Sequence, residues 1–551
     1  MTTSPEGCGS SDGVVVRGSF GASAGRRSVL DRAHQGDIRG AWGTVRVIET
    51  GRRVPVGRRL AAFAAVAGPG LIVMVNDAGG LSLFAQAGQD HGLRLWWLVV
   101  PLALVLFVNQ EMVVRLGAVT GAGHARLIFE RFGRRWGWFA LVDLLALNIL
   151  TIITEFIGIA LACGYFGVPR FVSVPVAAAG LIAVTVRGSF RGWERAMFAA
   201  VAGSLLVVPL GAVALSSHAR PEAIAPVAVP TASPSAQGVL FVIALAGTTV
   251  TPWQLFFQQS NVVDKRITSR WVRYERGDTA VGTGLFVLGA SAVLVACSYG
   301  LHARGAGRFV DAGEVARGLA SALGTWAGVL FSLALLGGSV AGAAAASLAT
   351  SYAVGDATGL RQSLHRPWRQ ARTFHGSFVG LIVVAAVVVL LPATPLGLVT
   401  VLANVLAGVL LPSASVFLIL LSNDRAVLGP WANPPWLNAV AAVAVGTLVV
   451  LSALLVLTTL FPAAPVGRLA VPLGLVAAGC ALATHPGLRR SLARREPDAD
   501  VERSEWTMPS VETLAPPLPS RPRTVCLTVM RIYLLFASAV IVMKAVRLLL
   551  A

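Results

Sequence analysis

A single carboxylate inside a long apolar run is the first group in this sequence able to do chemistry. The stretch VMVNDAGGLSLFAQAG, Val73 to Gly88, carries Asn76, Asp77, Gly79 and Gly80 among apolar neighbours. An ionisable residue at membrane depth is costly and marks an ion or substrate pathway. The glycine pair weakens a helix at the same place. A second interruption lies in LAGTTVTPWQLFFQQSN, Leu245 to Asn261. There Pro252 removes a backbone donor and clashes with the preceding turn. Thr248, Thr249 and Thr251 surround it with hydroxyls, and Gln254, Gln258 and Gln259 continue a polar stripe. The breaks fall in the first and sixth apolar spans. That placement points to an inverted-repeat transporter whose site lies where the broken helices face each other. Unwound backbone at that depth is tolerated only where it is buried in protein or lines a water-filled cavity.

Main-chain carbonyls freed by the breaks, the Asp77 carboxylate and the Thr251 hydroxyl are hard oxygen donors. They suit a hard cation. No soft ligand is counted at the break, and Cys or Met would favour softer transition metals. One carboxylate with few other side chains leaves several waters on the ion, as magnesium prefers.

The elements that must position these residues are membrane helices. The chain has 551 residues, 55% of them hydrophobic and only 13% charged. Its mean hydropathy of +0.72 is too high for a soluble globular protein. Apolar stretches of about 20 residues recur, which marks an all-α polytopic membrane protein. Spans are expected near 61–90 (broken), 95–118, 138–165, 171–187, 195–215, 237–261 (broken), 279–302, 324–352, 374–392, 396–422, 436–462, 467–485 and 526–549. The organisation that follows is a disordered basic cytoplasmic tail over 1–58 and a ten-helix core over 59–422. Additional helices occupy 423–485, a charged, Pro-rich disordered linker 486–524, and a C-terminal transmembrane helix 525–551. Cys8, Cys163, Cys297, Cys480 and Cys526 are scattered, without metal-ligand spacing or a disulfide framework.

The net charge of +19 comes mostly from arginine, with lysine only at Lys265 and Lys544. No folded basic surface for nucleic acid is evident. Arginines crowd alternate loops: Arg126 to Arg135, Arg187 to Arg195, Lys265 to Arg276, and Arg361 to Arg372. By the positive-inside rule these loops and the N-terminus are cytoplasmic. The Arg-, Ala- and Gly-rich composition points to a bacterial plasma membrane.

Several segments resemble the NRAMP metal-ion transporters. GPGLIVMVNDAGG is similar to their first span, which carries Gly-Pro-Gly and then Asp-Pro-Gly-Asn. GTTVTPWQ resembles their sixth span, with its Met-Pro-His. QEMVVRLGAVTG (Gln110 to Gly121), TEFIGIALA (Thr154 to Ala162) and LSNDRAVLGPWANPPWLN (Leu421 to Asn438) are similar to the end of the second span, the third span and the segment after the tenth. The resemblance implies a LeuT-type fold, two inverted five-helix repeats with additional C-terminal helices, and alternating access. It makes Asp77 the metal-binding aspartate and Thr248 a backbone-carbonyl ligand, and it places Asn404 near the site. Gly80 stands where the family has a coordinating asparagine, Thr251 where it has methionine and Trp253 where it has histidine. Glu155 matches a third-span acid, while Ile152 replaces a second one. The stretch before Asp77 is two residues shorter than the family pattern. These departures resemble the NRAMP-related magnesium transporters, and imply Mg²⁺ or Mn²⁺ transport without proton coupling. The alternatives are a proton-coupled Mn²⁺/Fe²⁺ symporter and a LeuT-fold carrier of an organic solute. No cofactor is expected, the divalent ion being cargo, and the partner is the lipid bilayer.

Other signals are weaker. GASAG, Gly21 to Gly25, fits a hydrolase pattern but lacks the strand and helix such a site needs. Neither a Walker A motif nor H-E-x-x-H occurs, so no enzyme is expected. Glu111 and Arg115 are spaced as a helix-surface pair. Asp143 and Asn148 read as packing or network residues. GGSVAGAAAAS, Gly337 to Ser347, is a small-residue face for close helix packing.

Overall fold

The computed structural model describes residues 37–45, 56–74, 77–218, 236–305, 307–392 and 396–460, with residue 474 and short pieces between 506 and 533. Most of the expected tail 1–58, the span 467–485, the linker 486–524 and the C-terminal helix 525–551 lies outside the described residues.

The first apolar run is divided into α1 (Val56–Val66), α2 (Pro69–Val73) and α3 (Ala78–His91). Pro69 stands in the first turn of α2, where a missing N–H costs nothing. Gly68 before it takes φ 149°, a conformation that side chains avoid. α4 (Val99–Thr120), the short α5 (His124–Phe132), α6 (Arg134–Tyr165), α7 (Arg170–Val186), α8 (Phe190–Ser204) and α9 (Val207–His218) complete the first half. The second half opens with another broken pair, α10 (Ala236–Thr249) and α11 (Pro252–Asp264). It continues with α12 (Val272–Gly300), α13 (Ala312–Leu323), α14 (Thr325–Thr358), α15 (Arg372–Leu390) and α16 (Leu396–Ser422). α17 (Arg425–Leu428) and α18 (Pro435–Leu460) follow. Six helical stretches among the described residues are long and apolar enough to cross a membrane, by length and composition.

α6 and α14 form the most extensively packed pair. In lipid there is little hydrophobic drive between helices, so small residues and close approach do the work. The small-residue face Gly337 to Ser347 supplies this. A Cβ added at Gly342 would lie 2.6 Å from the Glu155 carboxyl carbon, so glycine there makes room for a buried acid. Asn148 donates to Thr350 Oγ1 (2.7 Å), and Ser413 donates to Asp143 (2.5 Å), tying α6 to α14 and α16.

Four expectations need correction. Within the tail read as disordered, β1 (Ile38–Gly40) and β2 (Gly43–Val45) pair antiparallel around Ala41 and Trp42. In the linker read as disordered, Met508 N donates to Val119 O (3.3 Å) and Trp506 packs on Gly429. Glu111 and Arg115 do form the expected i,i+4 ion pair (3.1 Å), but it is buried rather than on a surface. Arg115 donates to Trp431 O (2.6 Å) and Asn433 Oδ1 (2.5 Å), and Arg276 donates to Glu111 (2.6 Å). Those loop partners lie 316 and 318 positions from Arg115, beyond the reach of an i,i+4 argument. Lys265, counted among loop charges, is 1% exposed.

The end of α11 is fastened by one carboxylate. Asp264 accepts from Tyr352 Oη (2.6 Å), Ser363 Oγ (2.6 Å) and the Leu364 N–H (2.8 Å).

Candidate functional site

The first break spans the four positions between α2 and α3. Its glycines do not form it: Gly79 and Gly80 lie in the first turn of α3. Asp77 is the N-cap of that helix, in extended conformation, and its Oδ1 accepts the Gly80 N–H at 2.7 Å. The side chain is 5% exposed. Beside it the Ala78 N–H donates to Glu155 Oε2 at 3.1 Å. Two carboxyl groups therefore meet at one helix N-terminus, where unpaired N–H groups and the helix dipole favour negative charge. Glu155 Oε1 is buried and has no hydrogen-bond partner among the described residues.

At the second break Pro252 is not a kink inside a helix. It is the first residue of α11, a position proline favours. Thr251 precedes it in extended conformation, and its N–H donates to Gln254 Oε1 at 2.9 Å. The other end of the same amide, Gln254 Nε2, donates to Val73 O at 3.1 Å. Val73 is the last residue of α2, so one side chain joins the two breaks. Thr251 Oγ1 and Trp253 Nε1 are buried and have no partner among the described residues.

The structure thus brings Asp77 and Gly80 together on α3, and Thr248 and Thr251 to the two sides of the second break. Gly80 offers a backbone N–H to Asp77 and no side chain of its own. Asn404 falls in α16, which packs against α10, but its side chain lies outside the described residues. Glu155 and Ile152 are both buried on α6. A soft group does stand at the break: Met74 follows α2. Its sulfur accepts from Thr283 Oγ1 at 3.9 Å, on α12. Among the described residues no three His, Cys, Asp or Glu side chains converge as a metal cluster. The arrangement suits an ion held by the Asp77 carboxylate, carbonyls and hydroxyls, with the Glu155 carboxyl group beside it.

Gln254 as a bridge was not foreseen; the capping spacing Thr251-x-x-Gln254 signals only its local bond to the Thr251 N–H. Nor was the network at the α1 end of the first break. There Lys265 Nζ donates to Glu194 Oε1 (2.5 Å) and to Ala67 O (2.7 Å). Asp278 Oδ2 accepts from the N–H groups of Gly68 (3.1 Å) and Gly70 (2.6 Å). One hint was available: Lys265 is one of two lysines in an arginine-rich chain.

Residues 70–458 match the family model described as natural resistance-associated macrophage protein-like, Nramp. A Ralstonia nicotianae protein named divalent metal cation transporter MntH is 32% identical over 409 residues, covering 70% of this chain and 89% of the relative. A Pseudomonas aeruginosa protein, divalent metal cation transporter MntH 1, is 28% identical over 402 residues, covering 70% and 88%. Among solved structures, an Eremococcus coleocola manganese transporter bound to an aromatic bis-isothiourea compound superposes with TM-score 0.59 at 19% identity. That match covers 80% of this chain and 97% of the other, and it shows the shared LeuT-type fold. With its two broken helices, its buried aspartate and a family match over most of its length, the chain belongs to the Nramp family and is an integral membrane transporter, not an enzyme.

Proposed function

We propose that this protein is a proton-coupled secondary carrier of divalent metal cations, with Mn²⁺ as cargo, working by alternating access. The observation that carries the reading is Asp77: a buried carboxylate capping α3 at a break that Gln254 ties to the second break. Carboxylate, carbonyl and hydroxyl oxygens suit manganese as well as magnesium. The relatives named above are divalent metal cation transporters, and neither carries magnesium in its name. The uncoupled magnesium reading, which rested on Gly80, Thr251, Trp253 and Ile152, therefore gives way to its alternative. In this proposal Asp77 binds the ion, the carbonyl of Thr248 and the side chain of Thr251 line its seat, and Asn404 is added by the family resemblance alone. Gly80 leaves space for a retained water. The arginine-rich loops support a cytoplasmic N-terminus in a bacterial plasma membrane.

Coupling needs a proton carrier. Trp253 cannot serve. His124, which packs beside α11 through Gln259 (2.7 Å), is a poor candidate. Burial lowers its pKa to about 4, outweighing the Gln259 hydrogen bond, so the ring stays neutral near pH 7. The role falls to Glu155, which shares the α3 N-terminus with Asp77. A dication seated there displaces a proton from the pair, and the proton leaves with the ion. In liposomes holding a pH indicator, Mn²⁺ uptake is expected to acidify the interior in step with transport. Glu155→Gln is expected to retain slower Mn²⁺ uptake and to lose the acidification. Mn²⁺ uptake by the unaltered protein without metal-dependent acidification would restore the uncoupled reading.

Selectivity is testable at two positions. Thr251→Met adds a soft ligand, and Gly80→Asn displaces a water that magnesium is reluctant to lose. The double variant is expected to resist Mg²⁺ competition against Mn²⁺ uptake about tenfold better, equivalent to about 1.4 kcal/mol of differential binding. Equal competition in both proteins would show that these positions do not set selectivity.

A further inference from the structure

We infer that residues 38–45 are a latch that holds α1 against α8 and so restrains inward opening of the carrier. This rests on the alternating-access reading with the N-terminus inside.

The hairpin is built into the protein on two sides. On the α1 side, Gly40 lies so close to the Ala65 carbonyl that any Cβ there would collide with it. Ile38 and Ala41 are each 2% exposed. On the α8 side, the Ala41 N–H donates to Glu194 Oε2 at 2.5 Å, and Arg195 Nε donates to Ala41 O at 3.1 Å. Arg191 bonds Thr44 Oγ1, and the Trp42 ring leans on Phe198 with centroids 5.9 Å apart. Glu194 is the shared element. One oxygen takes the hairpin; the other takes Lys265, whose ammonium also holds Ala67 O at the end of α1.

α1 is the outlying half of a broken span. A broken helix moves as two pieces about its break, and opening the site toward the α1 end requires α1 to part from α8. That movement must pull Gly40 from Ala65 or Ala41 from Glu194. The latch precedes residue 70, where the match to the family model begins.

The test uses the full chain in liposomes. Ala41→Pro removes the N–H given to Glu194, and Gly40→Ala wedges the hairpin off α1. Each is expected to speed hydrogen exchange of residues 59–66 and raise initial Mn²⁺ uptake about tenfold, the population change allowed by losing one charge-assisted hydrogen bond. The converse locks the latch. Trp42→Cys with Phe198→Cys, in a background with the five native cysteines changed to serine, is joined by a short bis-methanethiosulfonate. Uptake is expected to fall about tenfold or more and to return with reductant, a recovery that also reports an intact fold. Unchanged exchange in both hairpin variants, or full uptake in the cross-linked protein, overturns the latch. Faster exchange of residues 59–66 without Mn²⁺ uptake by any form, the unaltered chain included, supports the latch contact and overturns the carrier reading instead.

Discussion

Asp77→Asn is expected to abolish Mn²⁺ uptake while leaving the protein folded. Asparagine caps a helix N-terminus about as well as aspartate, so the Gly80 N–H keeps an acceptor and α3 keeps its start. What disappears is the negative charge. Removing one partner of a buried charge contact costs about 2–5 kcal/mol, and about 2.8 kcal/mol is already a hundredfold in affinity. Asp77→Ala is expected to lose uptake equally and to lose the cap as well, at about 0.5–2 kcal/mol. Comparing thermal stabilities of the two variants separates capping from ion binding. Near-normal uptake by a well-folded Asp77→Asn protein would remove the carboxylate from the site.

Lys265→Met is expected to give the largest loss of stability. Lys265 and Glu194 have fully buried side chains in direct contact. Removing the lysine leaves the Glu194 carboxylate without its cation in a dry setting, a change that costs about 3–5 kcal/mol. It also frees the Ala67 carbonyl at the end of α1. Adding Glu194→Met should recover much of the loss, because an apolar pair of similar volume is often neutral relative to a buried ion pair. The measurement is the yield of monodisperse protein and its melting temperature for both singles and the double. If the double variant is as damaged as Lys265→Met alone, the pair is not the origin of the effect.

The sequence made the membrane fold legible wherever an element is long and apolar. α16 falls on its expected range, 396–422, and α14 and α15 begin within two residues of theirs. Hydropathy alone is enough there, because lipid forces each span to satisfy its backbone internally. The two breaks were legible for the same reason, since a carboxylate and a proline are expensive in that setting. What lay hidden was pairing across distance. Gln254 reads as one more polar residue until Val73, 181 positions earlier, is seen under its amide. Lys265 reads as a loop charge because nothing local says that it and Glu194, 71 positions apart, bury each other. The hairpin at 38–45 was hidden by composition. A Gly- and Arg-rich tail looks disordered when the surface that receives its eight residues belongs to α1 and α8.

Asp264 imposes a timetable on biosynthesis. Its side-chain partners, Tyr352, Ser363 and Leu364, are 88, 99 and 100 positions downstream. At about 5–20 residues per second, the ribosome delivers them about 5–20 seconds after α11 has been made. Until then the carboxylate has none of the three donors that later surround it, and burying it bare is prohibitive. The C-terminal end of α11 must therefore wait at the aqueous edge of the nascent protein. Its final depth is fixed after α14 has been synthesised, so the two breaks come into register late in assembly, when most of the first half is already in place.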